Sequence, residues 1–128
     1  MSTIFSKIIN RELPAYIIHE DEDHLAFLDI NPLKEGHTLV IPKEEIDYIF
    51  DMTSDRFQAL FAFSKEVAKR LKAEIYCKKI GIAVIGLEVS HAHIHLIPIN
   101  SVLDMNFSNQ KQILSREFAE NLVKKLKK

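Results

Sequence analysis

The sequence predicts an α+β protein: a five-stranded antiparallel sheet carrying one long helix and a C-terminal helix. Three observations predict it. Five β-prone runs occur in the order strand, strand, strand, helix, strand, strand, with short connections within the group before the helix and within the group after it, as antiparallel neighbours have. A sustained helical period fills the gap between the third and fourth strands. The fifth run, Ser90-His91-Ala92-His93-Ile94-His95-Leu96-Ile97-Pro98, alternates polar and apolar residues, as a strand with two different faces does.

In chain order, Ser2 or Thr3 caps a short helix in which Ile4, Phe5, Ile8 and Ile9 fall at helical spacing, stopped by Leu13-Pro14. Ala15 to Glu20 and His24 to Asp29 form a hairpin across the acidic Asp21-Glu22-Asp23. Asn31-Pro32 breaks the second strand and Glu35-Gly36 turns the chain into a third strand, His37 to Ile41, closed by Pro42. From Thr53 to Ala73, Phe57, Leu60, Phe61, Val67, Ala68 and Leu71 share one helical face, with Thr53 or Ser54 as cap and Asp55 in the first turn. Lys79 to Ile85 is a strand, Gly86 turns it, and the histidine strand follows as its hairpin partner. Ser115 starts a terminal helix with Phe118, Leu122 and Leu126 on its inner side. The expected layering is a sheet with helices on one side.

Composition narrows the function. At 128 residues, 47% hydrophobic and 27% charged, the chain suits a single domain over residues 1–128. A net charge of −1 with mixed signs gives no field for nucleic acid, and that partner is not expected. Cys77 is the only cysteine, so neither an internal disulfide nor a Cys-rich zinc site is available. With no charged start followed by an apolar run and no segment of about 20 apolar residues, no membrane partner is expected and the expected location is cytoplasmic. Lys124, Lys125, Lys127 and Lys128 read as complements to a helix C-terminus. The sheet leaves two edges with little to blunt them, which makes pairing with a second copy plausible.

His91, His93 and His95 would then form a row on one strand face, with about 6 to 7 Å between neighbouring Cα atoms. Three uses compete: a half-exposed sheet face without chemistry, a metal site completed from elsewhere with Glu88 or Asp29 orienting the rings, and nucleophilic catalysis on phosphorus. In the last, one neutral imidazole attacks while its neighbours handle charge and protons, and the middle position suits the nucleophile.

His91-Ala92-His93-Ile94-His95-Leu96-Ile97 resembles the signature of the histidine-triad superfamily at every position. Ile4-Phe5-Ser6-Lys7-Ile8, Leu25-Ala26-Phe27-Leu28-Asp29-Ile30-Asn31-Pro32 and Gly36-His37-Thr38-Leu39-Val40-Ile41-Pro42 resemble its Hint branch in the same order. The resemblance implies a metal-independent hydrolase or transferase at the α-phosphate of purine nucleotide derivatives (AMP or GMP), of the nucleoside phosphoramidate type, without a cofactor and working as a homodimer. It implies His93 as the nucleophile, His95 as a phosphate-binding donor, and His91 and His37 as the pair associated with proton delivery. It further implies Asp29 on the ribose hydroxyls and Ile4, Phe5, Ile8, Phe27 and Ile30 around the base. On packing grounds alone, Ile8 and Phe27 serve equally well as core. His19 and His24 match nothing in the pattern and are expected at the surface.

The chain also departs from that pattern. Phe5 and Ile8 stand where some relatives carry zinc-binding cysteines, so no metal is expected there. Val84-Ile85-Gly86-Leu87-Glu88 is shorter than usual and lacks an Asn and a Gln. Glu88, counted among the nucleotide-binding residues, stands where a small hydroxyl residue is common, and its carboxylate would repel an anionic substrate unless protonated or turned to a cationic leaving group. The alternative is a purine-nucleotide-binding or scaffold module with weak or no catalysis.

Overall fold

A computed structural model describes residues 3–126. The sheet has the order β1-β2-β3-β5-β4, antiparallel throughout, from β1 (Ile17–Glu20), β2 (His24–Leu28), β3 (Thr38–Pro42), β4 (Lys79–Ala83) and β5 (Ile94–Ile99). The helices are α1 (Ile4–Ile9), α2 (Ser54–Glu74) and α3 (Arg116–Leu126). Ser2, Lys127 and Lys128, named above as cap and tail residues, lie outside the described residues.

Helices cover both faces of the sheet, not one. Alternation sorts the central strands cleanly: Ala26, Leu28, Val40, Ile94 and Leu96 pack against α2 and α3, while Leu25, Phe27, Leu39 and Ile41 pack against Phe5 and Ile8 of α1. Every residue of β2 and β3 is therefore buried. The six-residue α1 holds this position because Thr3 closes a capping box, its hydroxyl accepting from the Ser6 amide at 3.1 Å while the Ser6 hydroxyl accepts from the Thr3 amide at 3.3 Å.

Thr53 caps α2, accepting from the Arg56 amide at 3.3 Å. The face that α2 buries is Leu60, Phe63, Ser64, Val67 and Leu71, with Phe57, Phe61 and Ala68 half-buried beside it. Phe63 completes that face and also explains a correction: His24 is buried and His19 half-buried because their rings lie against Phe63, each with centroids 5.0 Å apart. His24 stays satisfied there through Asp21, whose carboxylate lies 3.0 Å from Nδ1.

The expected histidine strand begins only at Ile94, and its partner stops at Ala83. The chain before Ile94 is drawn off the ladder by other partners: the Ala92 amide donates to the Ile46 carbonyl at 2.7 Å, and His91 binds the Pro42 carbonyl. Gly36 and Gly86 make the two turns expected of them, with φ of +93° and +75°. No helix among the described residues is long and apolar enough to cross a membrane.

Candidate active site

The site grows from the α1 face of the sheet. His95 lies opposite Leu39 in the β3–β5 ladder, and Leu39 lies opposite Phe27, so the His95 ring shares its face with the apolar patch that seats α1. His37 and Asp29 stand just outside β3 and β2, joined by the Asp29 amide donating to the His37 carbonyl at 2.9 Å. Phe5 supplies the wall. Its ring meets those of His91 and His93 edge-on, with centroids 5.8 and 5.0 Å away.

Fixed backbone partners settle where each imidazole carries its proton, since a carbonyl only accepts and an amide only donates. Nδ1 of His93 lies 2.8 Å from the His91 carbonyl and must donate to it, so in the neutral ring the lone pair is on Nε2. Nε2 of His91 donates to the Pro42 carbonyl at 2.8 Å, and its Nδ1 accepts from the Thr3 hydroxyl at 3.3 Å. Nδ1 of His37 accepts from the Leu33 amide at 3.0 Å, so Nε2 carries hydrogen and donates to Nδ1 of His95 at 2.9 Å. His95 in turn carries its proton on Nε2. One ring thus presents a free lone pair and its neighbour, with centroids 4.9 Å away, presents an N–H.

Burial favours the neutral form of His37, His91 and His95. Desolvation, reinforced by His95, pushes His37 down to about 3, and desolvation with His93 nearby pushes His95 down to about 4. Desolvation lowers His91 as well, partly offset by the Pro42 carbonyl and Glu45. Asp29 moves the other way, raised by desolvation against the opposing pull of the Asn31 amide, Lys111 and His93.

The expected residues do not all play alike. His37, His91, His93, His95, Asp29 and Phe5 converge. Ile8 and Phe27 lie beneath Phe5 in the core, Ile4 and Ile30 are exposed, and Glu88 is exposed with its charge felt at Asp29. Side chains of His91 and His37 are buried with both ring nitrogens engaged inside the protein, so of the four rings only His93 and His95 keep a nitrogen free of such partners.

Sequence reasoning missed the supporting shell: Thr3, Ser6 and Glu45 behind His91, where the Ser6 hydroxyl donates to Glu45 at 2.9 Å, and Phe107, whose ring stands edge-on to His95 at 4.9 Å. The Thr3 and Ser6 signal was present as a capping pair. Phe107 lies in a segment without periodicity, where nothing in the sequence pointed inward.

Asp29, His37 and His95 each bring one ligand atom to within 4.8 Å of the others. Two neutral imidazoles and a carboxylate suit zinc, but an ion seated there would displace the hydrogen bond that orients His95. A cavity of about 190 Å³ bordered by Lys34, Ile75, Cys77 and Pro98 includes none of these histidines in its lining.

Four histidines gathered beside a capped helix on one face of a five-stranded antiparallel sheet, three of them at alternate positions, define a histidine-triad protein. The HIT domain matches residues 10–102, and the chain belongs to that family. It is 45% identical over 103 residues to a HIT-like protein of Borreliella burgdorferi, covering 74% of this chain and 73% of that one. It is 36% identical over 96 residues to the adenosine 5'-monophosphoramidase HNT1 of Saccharomyces cerevisiae, covering 74% of this chain and 61% of that one. Among solved structures, a Hit-like protein involved in cell-cycle regulation from Bartonella henselae superposes with a TM-score of 0.83 at 30% identity, covering 98% of this chain and 94% of that one.

Proposed function

We propose that this protein is a metal-independent nucleotide hydrolase or transferase acting at the α-phosphate of purine nucleotide derivatives, of the nucleoside phosphoramidate type, through a nucleotidyl-histidine intermediate. The observation that carries the reading is the proton order of the site: a free lone pair on His93 Nε2 beside an N–H on His95 Nε2. His93 Nε2 attacks phosphorus and the P–N bond breaks, its electron pair staying on nitrogen, which takes a proton from solvent and leaves as the amine. Water then attacks the phosphorus bound to His93, the P–N bond to the ring breaks, the water's proton returns to solvent, and the nucleoside monophosphate and the free imidazole are released. His95 offers its N–H to the phosphate oxygens, a neutral donor aimed where charge builds.

His91 and His37 serve proton delivery indirectly in this reading. His91 fixes His93 through its carbonyl, and His37 fixes the proton of His95 on the outward nitrogen. Asp29 accepts from the ribose diol, with Phe5, Ile4 and Ile30 beside the base, Ile8 and Phe27 behind them, and Glu88 at the nucleotide-binding rim, where its charge is felt at Asp29. The adenosine 5'-monophosphoramidase activity of the yeast relative agrees with this substrate class. The working form is a homodimer paired along β4, the edge strand that exposes Ile82, and the setting is cytoplasmic, consistent with a lone buried Cys77.

The test is AMP release from adenosine 5′-phosphoramidate in the presence of EDTA, for wild type and His93→Ala together. Release by wild type alone supports the mechanism. No release by either protein, with AMP still bound, favours the alternative of a nucleotide-binding or scaffold module, to which the exposed Glu88 carboxylate near Asp29 already lends some support.

A further inference from the structure

The segment between β5 and α3 folds back over the site. Its base is fixed where Asp104 accepts from the amides of Asn100 at 2.8 Å and Ser101 at 3.1 Å, and where the Asn109 side chain donates to the Leu103 carbonyl at 2.8 Å. Its far end is fixed to the loop after Asp29, the Gln112 amide donating to the Pro32 carbonyl at 2.8 Å. Between these anchors Phe107 stands edge-on to two site rings, His95 at 4.9 Å and His37 at 6.3 Å between centroids.

Lys111 belongs to the same strap. Its ammonium donates to the carbonyls of Phe107 and Asn109 and sits 6.0 Å from the Phe107 ring centre. These partners neutralise no charge, and among the described residues no carboxylate lies within 4 Å of the ammonium. Its charge is nevertheless felt at both Asp29 and His37. The proposed substrate brings at least one negative charge into a site where burial holds the His37, His91 and His95 rings toward their neutral forms. Asp29 adds another negative charge, so a cation is needed beside it.

We propose that Lys111 is the phosphate-recognising cation of this site, held over it by the strap that Phe107 packs against His95. The ligand class is a nucleoside 5′-phosphate or its derivative, read by charge at Lys111. This rests on the nucleotide reading above but assigns a residue that the histidine pattern does not contain. The carbonyl contacts of Lys111 are exchangeable: turning from Phe107 and Asn109 to a phosphate oxygen replaces neutral hydrogen bonds with a charge-assisted one.

The test compares affinities of AMP and adenosine for the full chain by calorimetry, in wild type, Lys111→Gln and Lys111→Arg. Lys111→Gln should weaken AMP by about tenfold, the scale of a lost charge-assisted hydrogen bond, and leave adenosine unchanged. Lys111→Arg should keep most of the AMP affinity, and the preference for AMP over adenosine should fall with added salt in wild type more than in Lys111→Gln. Equal AMP binding in wild type and Lys111→Gln would overturn the assignment while leaving the nucleotide reading intact. So would a parallel loss of AMP and adenosine, which would make Lys111 a support of the strap's shape. Wild type that binds neither ligand would remove both readings together.

Discussion

His37 Nε2 lies 2.9 Å from His95 Nδ1, and the proton between them belongs to His37, because the Leu33 amide already occupies the other nitrogen of that ring. A backbone group four residues away thereby decides which nitrogen of His95 faces outward with hydrogen. Outer partners that fix the tautomer and orientation of metal-ligating histidines are worth about ten- to a hundredfold.

The His37–His95 pair yields the first prediction. His37→Phe keeps a ring but removes the donor, freeing His95 to carry its proton on the wrong nitrogen, and kcat should fall about ten- to a hundredfold with little change in KM. His37→Gln, whose amide can still donate, should recover part of the loss. Equal kcat in both variants and wild type, with only a lower Tm, would reduce His37 to a packing residue.

His93→Ala should abolish turnover, because no other ring presents a free lone pair beside the His95 N–H. Nucleotide binding should stay within roughly tenfold, or ~1.4 kcal/mol. Wild-type AMP release by this variant would sink the nucleophile assignment.

Asp29 also has a local duty, since its Oδ1 accepts from the Asn31 amide at 2.9 Å. Asp29→Asn keeps that acceptor and removes the charge, so it separates the ribose role from the turn. KM for the nucleotide should rise about tenfold with kcat held within a few-fold. A selective fall in kcat would contradict a ribose contact.

What could be read in the sequence was what periodicity and punctuation encode: five strands, the capped α2 and the turns at Gly36 and Gly86, while the place of His37 beside the triad came only from the family resemblance. What could not be read depended on partners distant in the chain. The histidine run looks like a strand from Ser90 onward, yet Pro42 and Ile46 capture His91 and Ala92 before the ladder begins. His24 looks like a surface residue beside three acids, and only the position of Phe63 on the far helix buries it. That α1 would cover the opposite face followed from β2 and β3 being apolar at every position from Leu25 to Leu28 and from Leu39 to Ile41. Such a run signals a strand buried on both sides, a sign present in the sequence but outweighed there by the assumption of a one-sided sheet.

The β4 edge gives a prediction about assembly. Ile82 is 50% exposed on a strand with only β5 beside it. A second copy pairing there would bury Ile82 and close the edge. Ile82→Lys should shift the protein toward a monomer in equilibrium sedimentation at low concentration, with the single-chain fold retained by circular dichroism. An unchanged mass distribution would place any dimer contact elsewhere.

The buried rings also predict an acid-sensitive fold. His37 and His95 have folded values near 3 and 4, below the ordinary 6.5 of the unfolded chain. Above pH 6.5 both states hold these rings neutral and the difference contributes nothing. As the pH falls from 6.5 toward 4 the unfolded chain takes up protons that the native rings refuse, so stability falls, by at most about 1.4 kcal/mol per pH unit for each ring. Coupling between the two rings, and the raised Asp29, which prefers its protonated form in the fold and so pulls the opposite way as the pH drops, make the observed slope smaller. Urea midpoints measured from pH 7 to pH 4.5 should decline, and the decline should be shallower in His37→Gln, which removes one of the rings. A midpoint that stays flat over this range in the wild type would mean that the rings accept protons in the native state. The neutral order on which His95 depends would then not survive below pH 6.5.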